Sequence, residues 1–491
     1  MSGQHFFPRH PLRLGAIASA TLALSACNFA PLNQTPAAPV PTTLSATATA
    51  TTDTAPASSA AQQQAQALDW VQAPALREVI ALALTHNRDL RVALANIERA
   101  RAQYGITRAD LLPTVAASGQ LSRNRTAADL NNSGVSTLTT QTTAQLGFTS
   151  FELDLWGRVR NLSEAALQQY LQSEDTQRNV QLSLVADVAN AWLTLASNMA
   201  QFTLARDTLQ AREKSFALTQ RVYDLGGTSG LVLAQNRITV DTARGEVARF
   251  TAQVARDRNA LNLLVGGPVP EALLPDAQLW RQPQMPAALL PVAPDLPSSA
   301  LLRRPDVQAA ERSLRAANAN IGAARAALFP TISLTGSVGT GSRELDGLFD
   351  AGNGTWSFVP LVRLPLFDGG RSRANVQVAE ANQQVAVAQY EKAVQTAFRE
   401  TADALADRAQ WQERLDAQAA VVASSRKALE LSQARFDSGA DNFLTVLDAQ
   451  RTLFAAEQTL IGLRLAEQLN RVTLYKVLGG PDRTTLASAK P

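Results

Sequence analysis

The chain contains a long internal duplication, which limits its possible folds more than any other feature of the sequence. The first copy aligns with the second at an offset of 217 residues and then, further along, of 213 residues. The matched positions are Asp89, Arg108, Ala109, Pro113, Gly157, Arg158, Arg160, Asp224, Gly226 and Gly266 to Pro268, with Asp306, Arg325, Ala326, Pro330, Gly370, Arg371, Arg373, Asp437, Gly439 and Gly479 to Pro481. Two copies of one structural arrangement are therefore predicted.

The prolines divide each copy into helical stretches and a connector. No proline occurs in residues 114–267 or 366–480, whereas nine fall from Pro268 to Pro305. A proline inside a helix removes a hydrogen bond and clashes with the preceding turn. Long helices are therefore predicted in the two proline-free stretches, and a connector in the proline-rich segment.

Apolar residues recur every seven positions within the proline-free stretches, which is typical of helices that supercoil against neighbours. The repeat breaks at residues 226–230 and 439–442, so each copy is predicted to hold a helical hairpin with a tight tip. A continuous helix from Gly157 to Asp224 would be on the order of 100 Å long. The seam consists of Val188, Leu195, Phe202, Leu209, Phe216, Tyr223, Val240, Val247, Val254 and Leu261, then Leu415, Val422, Leu429, Phe436, Val446, Leu453 and Leu460.

Each copy also contains two segments that alternate between apolar and polar or small residues, the pattern of β-strands. The segments are residues 114–121 and 139–155 in the first copy, then a run through Ile332, Leu334 and Val338 and residues 356–366 in the second. Asp154 and Asp368 are predicted to cap the helices that follow.

Four strands cannot close a barrel, and an open sheet edge is not tolerated in lipid. No segment after the amino terminus has the roughly 18 uninterrupted apolar residues of a membrane helix. If the chain spans a membrane, it must therefore do so with strands from several copies. A dimer, trimer or tetramer would supply about 8, 12 or 16 strands, and the pattern alone leaves all three open.

The amino terminus has the features of a secretory signal peptide. Arg9 and Arg13 precede an apolar run from Leu14 to Ala26 that is too short to cross a bilayer. The sequence that ends at Cys27 resembles the lipobox of bacterial lipoproteins, which predicts that this cysteine is lipidated. The alternatives are that Cys27 is a free thiol or forms an intermolecular disulfide. Residues 28–68 are rich in small and polar side chains, so a flexible tether is predicted.

Composition argues against catalysis, metal binding and nucleic-acid binding. The formal charge of +3 falls to +1 without the two signal-peptide arginines, which gives no electrostatic case for nucleic acid. Only His86 would remain of the histidines, and Cys27 is the only cysteine. No catalytic residue, metal site or cofactor is therefore predicted.

Three runs resemble the signature of the TolC-like outer-membrane factors, specifically the NodT-type lipoprotein branch. They are Arg303 to Val307 with Glu311, Asn320 to Ile332, and Gln389 to Phe398, and the likeness extends in order from Ala75 to Pro481. The resemblance implies an α+β membrane protein whose homotrimer forms a helical tunnel and a 12-stranded transmembrane β-barrel. It also implies a place in the outer membrane, with a periplasmic adaptor and an inner-membrane RND-type transporter as partners.

The resemblance further implies two kinds of functional site. Channels of this family close through carboxylates three residues apart after the second hairpin tip, and only the second carboxylate is present here. A solvated or capping role is the alternative for that acid. The implied gate positions are Thr445 and Asp448, and the implied adaptor-facing tip residues are Gly226, Gly227, Gly439 and Asp441.

The predicted function is a passive exit duct for small toxic compounds in a tripartite efflux pump. A duct for secreted proteins and a coiled-coil lipoprotein without a pore are the alternatives, and copper or silver export is a further possibility. The predicted divisions are a signal peptide (1–26), lipidated linker (27–69), first repeat (70–268), equatorial connector (269–300), second repeat (301–481) and tail (482–491).

Overall fold

The computed structural model describes residues 29–32, 36, 70–132, 134–277, 280, 289 and 298–480. Two compact units are present, and each draws residues from both predicted repeats. Unit 1 comprises Met1–Ala37, Asn96–Glu174 and Ala309–Glu391, and unit 2 comprises Ala38–Ala95, Asp175–Gln308 and Lys392–Pro491. The signal peptide, Cys27 and the tail lie outside the described residues.

The helices and strands follow the duplicated order of the sequence. In chain order they are α1 (Pro74–His86), α2 (Arg88–Ala109), β1 (Val115–Thr126), β2 (Thr137–Glu152), α3 (Arg158–Asp224), α4 (Gly230–Val265), α5 (Pro305–Ala326), β3 (Thr331–Ser342), β4 (Gly354–Arg363), α6 (Arg371–Asp437) and α7 (Phe443–Val477). Short 3-10 segments cover Ala128–Leu130, Glu271–Leu273 and Ser298–Arg303.

Corresponding helices of the two copies have matching lengths. The long helices α3 and α6 each contain 67 residues, and α2 and α5 each contain 22. The second helices of the hairpins, α4 and α7, contain 36 and 35 residues. The long helices predicted from the proline-free stretches are therefore present. Within the described ranges, no helix combines the length and hydrophobicity that a membrane crossing needs.

The four predicted strands form one antiparallel sheet in unit 1, in the order β1-β2-β3-β4. The β2–β3 pair, which aligns Gly147 with Ser337, joins the two copies. The strands differ at their ends from the prediction: β1 continues to Thr126, because polar residues there still pair with β2 through backbone hydrogen bonds. The register of β2 shifts between Phe148 and Phe151.

Aspartates that precede the two long helices accept hydrogen bonds from the first helical turn, which is the capping role that the sequence predicted. The carboxylate of Asp154 accepts hydrogen bonds from the amides of Val159 (3.1 Å) and Arg160 (2.8 Å). Asp368 plays the same part for α6, where it accepts from the amide of Ser372 at 2.8 Å. Both carboxylates satisfy amides that have no partner within the first helical turn.

The main hydrophobic core lies in unit 2 and supports the helical hairpins. Trp70 stacks on Tyr475 with ring centroids 4.0 Å apart, and burial raises the pKa of the Tyr475 hydroxyl. The heptad residues Val188, Leu195 and Val446 are fully buried, in agreement with their predicted packing role. Tyr223, beside the first tip, is instead 42% exposed, so the seam opens toward the tip.

Candidate functional sites

The sheet of unit 1 presents an exposed apolar surface with two free edges. Its terminal strands β1 and β4 each pair on one side only within the described residues. Every residue of β4 is exposed, including Trp356 at 81% and Val362 at 63%. Large exposed apolar surfaces and unpaired edges normally mark an interface with lipid or with another chain. The edges and the apolar surface of the sheet are therefore available for contact with lipid or with another chain.

The tips of the two helical hairpins share one backbone arrangement. Gly226 and Gly439 have φ angles of 76° and 74°, in the left-handed region that favours glycine. In the first tip, the amide of Gly226 donates to the carbonyl of Tyr223 (2.8 Å), and that of Gly227 donates to Val222 (2.9 Å). In the second tip, Gly439 and Ala440 donate to Phe436 and Arg435 in the same way, each at 2.9 Å. This is the Schellman motif.

The second hairpin helices also begin alike. The side chains of Ser229 and Asn442 accept hydrogen bonds from the amides of Val232 and Thr445, each at 3.4 Å. A β-carbon built on Gly226 or Gly439 would meet nothing within 4 Å. The glycines are therefore needed for the backbone turn, and the space around both tips is open.

Asp441 in the second tip is held by an arginine of the same tip. Arg435 donates from Nε to Oδ2 of Asp441 at 2.5 Å and from its second nitrogen to Oδ1 at 3.0 Å. The hydrogen bond from Arg435 lowers the pKa of the Asp441 carboxyl and raises the pKa of the guanidinium. The carboxylate predicted to face an adaptor thus also braces the tip.

Thr445 and Asp448 lie on the exposed face of α7, three residues apart. The opposite face buries Phe443 and Val446. Thr445 belongs to the first turn, where its hydroxyl donates to Asn442 at 3.4 Å. Asp448 caps no helix end, since the cap of α7 is Asn442. The capping alternative for Asp448 is therefore not what the structure shows.

Asp448 forms an ion pair with Arg451 on the next turn of α7. One guanidinium nitrogen of Arg451 donates to Oδ1 of Asp448 at 2.5 Å. The two side chains are 65% and 78% exposed, so solvent screens the pair strongly. This face of α7 carries neighbouring charges of both signs, which have little effect on folding and remain accessible to mobile ions.

A cavity of about 530 Å³ separates this face of α7 from α3 and α4 within unit 2. Asp448 and Arg451 line it together with Arg212, whose side chain is buried. Arg212 donates to the carbonyl of Thr239 at 2.9 Å and lies 5.6 Å from the ring centre of Phe454. Burial lowers the pKa of the Arg212 guanidinium. The second hairpin is thus loosely packed against the first beside the predicted gate residues.

Sequence reasoning missed the arginines that partner the predicted acidic residues. The spacing of Arg451 from Asp448 was visible as an i,i+3 pair of opposite charge on one helix face. The pairing of Arg435 with Asp441 depends on the turn between them, which only the backbone reveals. Among the described residues, no group of three His, Cys, Asp or Glu side chains is placed to hold a metal ion.

The model of the family described as outer membrane efflux protein matches residues 79–267 and 296–480, one segment in each copy of the duplication. The chain is 43% identical over 468 residues to the toluene efflux pump outer membrane protein TtgC of Pseudomonas putida, with 95% of each chain covered. It is 45% identical over 407 residues to the antibiotic efflux pump outer membrane protein ArpC of Pseudomonas putida, with 83% of each covered.

One similar solved structure is the open state of the MtrE outer membrane channel of Neisseria gonorrhoeae. The TM-score is 0.77 at 37% sequence identity, and the alignment covers 92% of this chain and 98% of that one. The alignment therefore takes in most of each copy of the duplication.

Proposed function

Because the chain belongs to the outer membrane efflux protein family, we propose that it is the outer-membrane exit duct of a tripartite efflux pump. It acts as a passive channel and not as an enzyme, extending from the outer membrane into the periplasm. A periplasmic adaptor docks on it, and an inner-membrane RND-type transporter supplies the work. The proposed repeats are residues 70–268 and 301–481, joined by an equatorial connector at 269–300.

The observation that carries this proposal is the four-stranded sheet with two free edges. Three copies of this sheet would supply 12 strands, and pairing of β1 in one copy with β4 in the next would close them into a barrel. The exposed side chains of Trp356, Phe358 and Val362 would then meet lipid. The resemblance to trimeric channels supports three copies over two or four.

The long hairpins would form the tunnel wall, and their tips would receive the adaptor. Gly226, Gly227 and Gly439 fix the two turns, and Asp441 braces the second turn through Arg435. The equivalent backbone geometry of the two tips supports a repeated docking surface. In a homotrimer, six such tips would be offered to the adaptor, two from each chain.

The face of α7 that carries Thr445 and Asp448 would form the periplasmic gate. The exposed Asp448–Arg451 pair supports this assignment, because an exposed ion pair contributes little to the stability of the fold. In a closed trimer, three carboxylates and three guanidinium groups would meet near the channel axis. The cavity lined by Arg212 leaves room for the second hairpin to move when the adaptor binds.

The substrates would be small toxic compounds such as organic solvents and antibiotics, since TtgC and ArpC are named for toluene and antibiotic efflux. Cys27 would carry the lipid anchor that holds the chain in the outer membrane. Because a passive duct exerts little chemical selection, the transporter would determine most of the substrate range.

A reconstitution experiment tests the proposal. Purified protein should insert into planar lipid bilayers as trimers and conduct ions. Deletion of the gene should raise sensitivity to solvents and antibiotics together, and the plasmid-borne gene should restore resistance. Protein that never conducts, together with a deletion strain of unchanged sensitivity, would contradict an exit duct.

A further inference from the structure

The first described residues of the chain pack against unit 1. The side chain of Phe29 is half-buried, and its ring stacks on that of Phe329, with centroids 4.7 Å apart and planes inclined by 14°. Phe29 lies only two residues after Cys27. The predicted tether is therefore docked close to its beginning.

A second aromatic ring supports the ring of Phe329. Trp156 stacks on Phe329 with centroids 5.0 Å apart and planes inclined by 26°. The indole nitrogen of Trp156 donates to the carbonyl of Pro330 at 2.8 Å, which fixes the position of its ring. The stack thus links the chain entering α3 with the chain entering β3, and the ring on which Phe29 stacks belongs to the folded body of unit 1.

Gly322 in α5 permits the close approach of the next residue. A β-carbon built at Gly322 would lie 2.9 Å from the Cα of Ala30 and 2.8 Å from the side-chain amide of Asn161. Asn161 is buried, and its amide donates to the carbonyl of Gly157 at 2.7 Å. A larger residue at position 322 would therefore push Ala30 away from the helix.

The composition of the tether identifies its docking residue. Phe29 is the only aromatic residue in the segment from Asn28 to Leu68, which otherwise holds mainly Ala, Thr, Pro, Gln and Ser. No other position in this segment offers a ring that could replace Phe29 in the stack. Leu32, three residues further on, is 84% exposed and takes no part in the contact.

We infer that Phe329, whose ring is supported by Trp156, and Gly322 form a docking site for the mature amino terminus of this chain, with Phe29 as the residue that fills it. Consecutive Cα atoms lie about 3.8 Å apart, so Cys27 Cα can be no more than about 7.6 Å from that of Phe29. The site lies where β2 and β3 meet helices, and tryptophan is enriched at membrane–water boundaries. Given the proposed lipidation, docking places the acyl chains beside the sheet that would enter the membrane.

Chymotrypsin cleavage of the lipidated, mature protein tests the site. Cleavage after Phe29 requires this segment to leave the stack. Phe329→Ala removes the stacking surface and keeps the cleavage position, so we expect cleavage after Phe29 to become about tenfold faster. Phe349→Ala, which changes a phenylalanine of unit 1 that is 82% exposed, should leave the rate unchanged.

A variant in the terminal segment gives the same information without altering the folded body. Phe29→Ala should raise hydrogen exchange at the amides of Ala30 and Leu32 to the level of a free peptide, whereas Leu32→Ala should leave the exchange of Ala30 unchanged. Exchange in Phe29→Ala equal to that of the unmodified protein would overturn the proposal. So would wild-type protein that is cleaved after Phe29 as fast as Phe329→Ala.

The mass of the amino-terminal peptide separates this proposal from lipidation itself. If Phe29 is protected from cleavage and Cys27 is unmodified, the docking site is supported and the proposed lipid anchor is contradicted. A lipidated Cys27 with an unprotected Phe29 would retain the anchor and overturn the docking site.

Discussion

Replacement of Asp448 by alanine should open the channel without weakening the fold. The Asp448–Arg451 pair is of the i,i+3 type, with side chains 65% and 78% exposed. Exposed pairs of this kind contribute about 0.3–0.5 kcal/mol in a helix. Loss of the pair should therefore change the free energy of unfolding by no more than about 0.5 kcal/mol.

The effect on ions should be larger than the effect on stability. A carboxylate about 4 Å from a mobile cation in water contributes about 1 kcal/mol, which corresponds to about a fivefold local enrichment before screening. Screening by salt and the charge of Arg451 reduce this value. We expect the cation preference of Asp448→Ala trimers to fall about two- to fivefold. Because the change also removes the carboxylates that would meet guanidinium groups at the proposed gate, the gate should open more readily, and conductance and drug leakage should rise.

A matched control is available on α6. Glu430 pairs with Lys427 at 2.9 Å in the same i,i+3 arrangement, and its side chain is 67% exposed. Glu430→Ala should match Asp448→Ala in stability and leave single-channel conductance in planar bilayers unchanged. Equal conductance and equal drug leakage in wild-type and Asp448→Ala trimers would contradict the assignment of Asp448 to the gate.

Three further predictions concern the hairpins and the core. Gly439→Ala forces a β-carbon into a left-handed turn and should lower the local stability of the second tip by about 1–2 kcal/mol, which should be seen as faster hydrogen exchange there. Gly245→Ala, inside α4, should instead raise the free energy of unfolding by about 0.5–1 kcal/mol. Because Arg435 lowers the pKa of the Asp441 carboxyl, the ion pair between them is complete at neutral pH and is lost as the pH falls through that depressed pKa. A spin label at the second tip should therefore become mobile in acid. In Asp441→Asn the label should be mobile both at neutral pH and in acid. The side chain of Arg304 is 8% exposed and contacts Asp306 at 2.7 Å and Glu400 at 2.9 Å. Arg304→Ala should therefore lower the free energy of unfolding, measured with denaturant, by about 3–5 kcal/mol. Arg426→Ala, whose arginine is exposed, should lower it by about 0.5 kcal/mol or less.

The sequence predicted the repeated elements well because each has a strong local signal. Missing prolines and a seven-residue period indicated α3 and α6, and glycines at equivalent offsets indicated both tips. The ends of β1 and β2 were harder to place, since pairing continues through Arg123 to Thr126 without hydrophobic alternation. The backbone hydrogen bonds of the sheet, and not its side-chain pattern, determine those ends.

Contacts between residues distant in sequence lay beyond prediction. Phe29 and Phe329 are 300 positions apart, and neither has a spacing or motif that links it to the other. The buried position of Arg212 likewise depends on how α3 packs against α4 and α7. Such contacts follow from the packing of whole elements, which a periodic pattern does not specify.

Cysteine cross-linking between sheet edges tests whether the sheets of three chains close into one barrel. With Cys27 retained, since a lipidated sulfur has no free thiol to oxidise, one cysteine at Ser357 in β4 would be combined with single cysteines along β1 from Ala117 to Arg123. If β1 of one chain pairs with β4 of the next in a closed trimer, oxidation in membranes should give dimers and trimers, with no larger species. A ladder that ends at dimers or continues beyond trimers, or the absence of any cross-link along β1, would contradict the closed 12-stranded barrel.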